Sequence, residues 1–165
     1  VIFLCFGMNE SYQGADGLTN YIQNLQTRIR NLKSQRFNGK TAPRLVLVSP
    51  IAHERLAKLR LDPTIHNQQL QQYTVSMKQL AIEENITFIN LFDESQKLFT
   101  ADQRDYTING IHLTDEGYQK VAMMMMNELQ LANQEAINWE SLQALRELIV
   151  EKNRQFFFRW RPVNS

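Results

Sequence analysis

The sequence predicts an α/β fold in which a parallel sheet is covered by helices on both faces. Three apolar runs supply the strands: Val1–Phe6, Arg44–Ser49 and Ile86–Phe92. They are nearly continuous rather than alternating, which is typical of strands buried on both faces. Helical periodicity lies between and after these runs, and strand–helix alternation of this kind gives parallel strands joined by crossover helices. We therefore expect three layers, α/β/α.

Three helices are predicted around that sheet. The first runs from Leu18 to Arg36, after a loop at Gly14–Gly17, and the second from His66 to Glu84. Residues 51–65 before the second helix are expected to form a loop with a short helix. The third runs from Thr114 to Leu131. In the first helix the apolar positions recur at helical spacing; they are Leu18, Tyr21, Ile22, Leu25, Ile29 and Leu32.

The C-terminal stretch differs in character from the rest. A further helix is predicted to open at Trp139, with an apolar stripe that includes Leu142 and Leu145, and to run into a segment of interleaved arginines and aromatic residues. We therefore divide the chain into a domain at 1–131 and a C-terminal helix with a basic-aromatic tail or linker at 132–165.

Composition excludes several classes of protein. The chain has 165 residues, of which 43% are hydrophobic, enough for one domain with a core. A net charge of +1 gives no electrostatic case for nucleic acid. Cys5 is the single cysteine, and the three histidines are scattered, so neither a disulfide nor a metal or other cofactor is predicted. No apolar stretch approaches the ~20 residues of a transmembrane helix.

Two polar segments indicate a site. Asn9 follows the first strand closely, and His112 lies in a polar turn just before the last helix of the domain. In parallel sheets ligands bind beyond the carboxyl ends of the strands, so both residues are expected at one edge of the sheet. An asparagine amide can stabilise an oxyanion, and an imidazole can serve as general base, which together suit acyl transfer. Ser11 and His66 are expected to be structural.

These segments resemble two blocks of the SGNH (GDSL-type) hydrolases, a superfamily of serine esterases and lipases with a flavodoxin-like α/β/α fold. Gly7-Met8-Asn9-Glu10 is similar to the Gly-x-Asn-Asp block (block III), and His112 to the histidine of the Asp-x-x-His block (block V). The resemblance implies an oxyanion hole at Asn9 and Gly7, and His112 as the base. Met8, Glu10 and His53 are candidates for the substrate pocket, although an exposed loop residue is the favoured interpretation of His53 taken alone.

The sequence departs from the family pattern in two ways. The blocks that carry the Gly-Asp-Ser nucleophile and a glycine oxyanion donor (blocks I and II) do not occur in it, and it opens without methionine inside a strand. We therefore expect that the N-terminal part of the domain is absent and that this chain alone is inactive. Asn109 also replaces the aspartate of Asp-x-x-His. Its carbonyl can orient His112 but supplies no charge, which predicts a Ser-His dyad or a weakened triad.

The resemblance implies an esterase that acts on an acyl or carbohydrate-acetyl ester and needs no cofactor. The C-terminal segment from Lys152-Asn153-Arg154 to Arg161-Pro162-Val163-Asn164 resembles the stretch that follows the SGNH domain in some large bacterial proteins, which implies further modules downstream. The family resemblance alone suggests an extracytoplasmic (periplasmic or secreted) location. A second interpretation stays open: a non-catalytic module that binds a sugar or a protein partner and retains the fold. Asn109 in the place of aspartate favours that alternative slightly.

Overall fold

A computed structural model of the chain describes residues 1–59, 61–101, 104–131 and 142–161. The strands are β1 (Ile2–Cys5), β2 (Leu45–Val48) and β3 (Thr87–Ile89), and a short 3-10 helix covers Glu10–Gln13. The helices are α1 (Gly14–Ser34), α2 (Thr64–Glu83), α3 (Leu91–Ala101), α4 (Asp115–Glu128) and α5 (Gln143–Trp160). The chain forms two compact units, Val1–Ala132 and Asn133–Ser165.

The sheet of the first unit is parallel throughout, in the order β1-β2-β3. Central strand β2 reads Leu-Val-Leu-Val, and all four residues are buried. Leu45 and Leu47 pack into a core with α1 and α2, whereas Val46 and Val48 pack into a second core with α4. A strand covered on both faces needs apolar side chains at every position, which explains the unbroken run. The predicted α/β fold with helices on both faces is confirmed.

The prediction of a loop at Gly14–Gly17 was wrong, because α1 begins at Gly14. The reason is tertiary: the hydroxyl of Tyr73 in α2 donates a hydrogen bond to the carbonyl oxygen of Gly14 at 3.0 Å. This contact fastens the first turn of α1 to its neighbour. Two glycines and an aspartate in four residues are unfavourable for a helix in isolation, but packing outweighs that weak preference.

The third predicted strand was too long at its C-terminal end. β3 stops at Ile89, and Leu91 and Phe92 begin α3, a helix that the sequence analysis did not predict. Asn90 caps this helix: its Oδ1 accepts the Asp93 N–H at 3.1 Å, and its amide donates to the Asp93 carboxylate at 2.6 Å. The Phe92 N–H donates to Ser49 Oγ at 3.0 Å, which further fixes the turn.

The second unit contains α5, whose start the sequence analysis placed at Trp139, outside the described residues. None of its residues is buried. Arginine and aromatic side chains pair along it, with Arg154 over the ring of Phe158 and Arg161 over that of Phe157. Among the described helices, none is long and apolar enough to cross a membrane.

Candidate active site

The segment after β1 carries Asn9, whose side chain is exposed and makes no hydrogen bond within the described part of the chain. Its amide is therefore available to a ligand. Gly7 differs, because its N–H donates to the carboxylate of Glu10 at 3.0 Å. In this arrangement Gly7 offers no free donor to an oxyanion. Met8 is half-buried and packs against the core beneath α4.

His112 lies on a narrow loop that leads into α4. The loop is closed by an antiparallel bridge between Thr107 and Leu113, with the Ile108 N–H donating to the His112 carbonyl at 2.7 Å. Thr114 caps α4 by accepting the Gly117 N–H at 3.1 Å. The imidazole of His112 is exposed, so a substrate can reach it.

Asn109 fixes the ring of His112. Its Oδ1 lies 3.0 Å from the His112 Nδ1 and accepts the backbone N–H of His112 at 3.0 Å. Since a backbone N–H can only donate, the oxygen of the amide must face the ring, and Nδ1 must carry a hydrogen. In the neutral tautomer that this geometry fits, Nε2 is the nitrogen without a hydrogen. The alternative, a backbone carbonyl holding the ring, is not what the structure has.

The segment after β2 fastens this loop to the sheet. The backbone N–H of Glu54 donates to the Gly110 carbonyl at 2.9 Å, and the Glu54 carboxylate accepts the N–H groups of Tyr106 at 2.9 Å and Thr107 at 2.7 Å. The ring of His53 lies directly against Gly110, where an added Cβ would be 2.6 Å from its Nε2. Gly110 also has φ +95°, so the position requires glycine on both counts.

A buried chain of polar groups joins the segments after β1 and β2. Ser11 Oγ lies 2.7 Å from the Met8 carbonyl oxygen and 2.8 Å from His66 Nε2, and His66 Nδ1 lies 2.9 Å from His53 Nδ1. The single hydroxyl hydrogen of Ser11 must lie between the two oxygens, so His66 Nε2 is the donor to Ser11. His66 Nδ1 is then an acceptor, and His53 Nδ1 must donate to it.

The pKa shifts of His53 and His66 agree with a neutral imidazole at both positions. Burial lowers the pKa of His53. Burial, followed by the neighbouring charge of His53, lowers the pKa of His66 to about 4. The stacked ring of Tyr12, with its centroid 3.9 Å from that of His66, covers one face of the imidazole.

The pairing of Ser11 with His66 is not a nucleophile and its base. Ser11 is fully buried, and its proton is committed to the Met8 carbonyl. His66 Nε2 donates to the hydroxyl, so it cannot take the hydroxyl proton. As expected from the sequence, Ser11 bonds the local backbone, and its further contact with His66 is structural.

The predicted residues thus fall at one edge of the sheet. Asn9 and His53 follow the carboxyl ends of parallel strands, and the His112 loop is bonded to the segment that carries His53. A groove of about 820 Å³ runs along α1 and includes Glu10, but its lining contains neither Asn9 nor His112. The described residues contain no group of three or more histidine, cysteine, aspartate or glutamate side chains that could hold a metal ion.

Sequence reasoning missed Glu54, and it gave His66 no partner. Their contacts join residues far apart in sequence: Glu54 meets Thr107 across 53 positions, and Ser11 meets His66 across 55. For the contact between Glu54 and Thr107, the only signal in the sequence was that Glu54 directly follows His53, in a loop after a predicted strand.

Fold and site together define a three-layer α/β protein whose polar loops gather at the carboxyl edge of a parallel sheet. The chain belongs to the GDSL-like Lipase/Acylhydrolase family, which it matches over residues 1–120. This match confirms the resemblance inferred from the blocks at Asn9 and His112. A search of curated proteins finds no match.

Solved structures share the fold. An acetylxylan esterase from Geobacillus stearothermophilus is similar at a TM-score of 0.56 and 17% identity, over 76% of this chain and 57% of that chain. A gut microbial diltiazem-metabolizing enzyme is similar at a TM-score of 0.63 and 17% identity, over 80% of this chain and 33% of that chain. At such identities the likeness shows the fold alone, and this chain spans little more than half the length of the esterase.

Proposed function

We propose that this chain forms part of a serine ester hydrolase in which His112 is the general base, oriented by Asn109, and Asn9 is an oxyanion donor. The observation that carries the proposal is the exposed ring of His112, whose Nδ1 is held by Asn109 Oδ1 and whose Nε2 makes no hydrogen bond within the described part of the chain. Asn9 supports it, since its unpartnered amide follows β1 at the same edge of the sheet.

In this mechanism the nucleophilic serine is one that these 165 residues do not supply. The Nε2 of His112 takes the hydroxyl proton as the serine attacks the acyl carbonyl. The Asn9 amide donates to the oxyanion of the tetrahedral intermediate. The imidazolium then gives its proton to the departing alkoxide, and a water molecule hydrolyses the acyl-enzyme by the same proton transfers. Asn109 holds the ring through these steps but stays neutral.

For the substrate we propose a carbohydrate-linked acetyl or similar small acyl ester. The support is the family and the structural likeness to an enzyme named for acetylxylan. The exposed position of His112 suits an ester presented on a large molecule, because the base is reached without a deep cavity. No step of this chemistry requires a cofactor.

The test compares this chain with the protein extended by its own upstream residues, using p-nitrophenyl acetate. The extended protein is expected to show a burst of acyl-enzyme formation, and the 165-residue chain none. His112→Ala should abolish most turnover, and Asn9→Ala should lower kcat on the order of 10²–10³-fold, the typical loss for one oxyanion donor.

Two results would contradict this assignment. Full activity in the His112→Ala variant would remove the proposed base. A burst from the 165-residue chain that disappears in Ser11→Ala would show that the nucleophile lies at Ser11, despite its burial.

The alternative function is a non-catalytic module that binds a sugar or a partner. The neutral Asn109 favours it, because an imidazolium at His112 receives no stabilising charge from that side chain. The two proposals separate on one experiment. A binding module would bind acetylated oligosaccharide without turning it over, and His112→Ala would weaken binding without any loss of hydrolysis to measure.

A further inference from the structure

We infer that Glu54 is the positioning residue of the His112 loop, holding the proposed base in place through three hydrogen bonds to its carboxylate. The inference rests on the proposed role of His112. It starts from an uncommon situation: a glutamate that is only 4% exposed and makes no salt bridge within the described part of the chain. A buried carboxylate costs solvation free energy unless its oxygens accept hydrogen bonds from well-placed donors.

Those donors all belong to the loop that carries His112. Oε1 accepts the Tyr106 N–H at 2.9 Å, and Oε2 accepts both the N–H and the hydroxyl of Thr107, at 2.7 and 2.5 Å. Tyr106 and Thr107 are completely buried. Three hydrogen bonds to one buried side chain therefore join the loop to the segment after β2.

The link continues from Thr107 towards the base. The Thr107 hydroxyl, which donates to Glu54, also accepts the Gly110 N–H at 2.9 Å, and the Gly110 carbonyl accepts the Glu54 N–H at 2.9 Å. Gly110 follows Asn109, which holds the ring of His112. Glu54 therefore holds the turn through Thr107 and Gly110, and none of its described hydrogen bonds goes to the imidazole of His112.

The Glu54→Gln variant tests the hydrogen bonds of Glu54 separately from the packing of its side chain. The side chain keeps its shape, but its amide must turn an N–H towards either the Tyr106 N–H or the donors of Thr107. Two donors then face each other in a buried site, and the turn must shift. A displacement of about 1 Å at a catalytic group can cost about 10²-fold in rate.

The matched control is Glu84→Gln. Glu84 is also nearly buried, at 8% exposed, and bonds Arg30 and Lys33, but it precedes β3 and so lies at the opposite edge of the sheet. Both variants are expected to lower the thermal midpoint of unfolding. Only the variant at Glu54 should disturb His112.

Two readouts decide the matter, and the first does not depend on activity. In ¹⁵N spectra of the chain, Glu54→Gln should shift the imidazole nitrogens of His112 and speed amide exchange at Thr107 and Gly110, whereas Glu84→Gln should leave both unchanged. In the extended, active protein, Glu54→Gln should lower kcat by about 10- to 100-fold with little change in KM.

A second pair of variants covers the case in which Glu54→Gln does not fold. Thr107→Val keeps the shape but removes the hydroxyl that joins Glu54 to Gly110, and Thr107→Ser keeps the hydroxyl. The valine variant should shift the His112 signals, and the serine variant should not. Unmoved His112 signals in Glu54→Gln and Thr107→Val, with a loss of stability alone, would overturn the inference. Activity that survives His112→Ala would instead refute the proposed function and leave the spectroscopic result standing.

Discussion

At the scale of single residues, the central question is how the neutral side chain of Asn109 orients the proposed base, His112. Replacing the aspartate of a serine protease triad by asparagine costs ~10⁴ in turnover, because the amide leaves the histidine in the wrong tautomer. The geometry here avoids that outcome. The His112 backbone N–H points at the same Asn109 oxygen as the ring, so the amide cannot reverse without placing two donors together. Orientation is kept and only the charge is lost.

Asn109→Asp should therefore raise turnover in the active, extended protein. A carboxylate accepts the same two hydrogen bonds and adds a charge that stabilises imidazolium. The difference between a charged and a neutral acceptor is on the order of 1 kcal/mol, which predicts an increase of roughly fivefold in kcat. Steady-state kinetics with Asn109→Ala as the control, which loses orientation as well, would check it. An unchanged or lower kcat in Asn109→Asp would show that this side chain does not act on the ring.

Some residues of the candidate site could be predicted from the sequence, and others could not. Asn9, Asn109 and His112 lie in short blocks whose spacing is local, so the sequence predicts them directly. Glu54 could not be predicted in the same way. Its three donors lie more than fifty residues away, and its own segment offers only the weak signal of a glutamate beside His53 in a loop after a strand.

At the scale of elements, the sequence predicted the strands and long helices because their apolar pattern is set by burial. It failed where an element begins or ends through tertiary contacts. The start of α1 depends on Tyr73, a residue of α2, and the start of α3 depends in part on Ser49, which directly follows β2. The Asn90 cap was a local signal for α3, but the apolar pair after it extended the strand pattern and concealed the helix.

The first turn of α4 is the element contact closest to the site. Gly117 lies against the backbone of the His112 loop, and a Cβ added there would be 2.1 Å from the Tyr106 carbonyl oxygen. Tyr106 is itself fixed by Glu54 and by Thr114, whose N–H donates to the same carbonyl at 2.9 Å. The backbone at Tyr106 therefore cannot move away from Gly117 without breaking these hydrogen bonds.

Gly117→Ala should consequently destabilise the protein, although alanine is the better helix former by ~1 kcal/mol. The clash with a fixed carbonyl is expected to cost roughly 1–3 kcal/mol net, in the range of overpacked cores. Urea unfolding would measure it, with Gln119→Ala, an exposed position of the same helix, as the control. A Gly117→Ala variant as stable as the Gln119→Ala control would mean that α4 is not pressed against the loop.

At the scale of the whole molecule, clusters of polar groups built around buried side chains lie at both edges of the sheet. Ser11, His66 and His53 join the loops at the carboxyl edge, and Glu84 with Arg30 and Lys33 closes the opposite edge. The two edges respond to acid in different ranges. Burial opposes ionisation of Glu84, but the hydrogen bonds from Lys33 and Arg30 outweigh it and lower the pKa of Glu84. The contribution of Glu84 to the free energy of unfolding is therefore lost only below about pH 4.5.

The histidine pair makes global stability depend on pH above that range. The pKa of His66 is about 4 in the folded chain and near 6.5 when unfolded. Between these values the unfolded state binds more protons than the folded state. Stability is therefore fully present above pH 6.5 and falls as the pH drops towards 4, by on the order of 3 kcal/mol from His66, with His53 adding in the same direction.

Urea unfolding from pH 7.5 to 4.5 would measure this slope, and His66→Gln isolates its source. Glutamine keeps a donor for Ser11 and an acceptor for His53, but it has no charge to gain. The variant should be less stable at neutral pH and should lose less stability than the wild type between pH 6.5 and 4.5, keeping only the slope that His53 contributes, so the two curves approach each other in acid. Parallel curves for the wild type and His66→Gln would show that this imidazole is not held neutral by the fold, and that the loss in acid arises elsewhere.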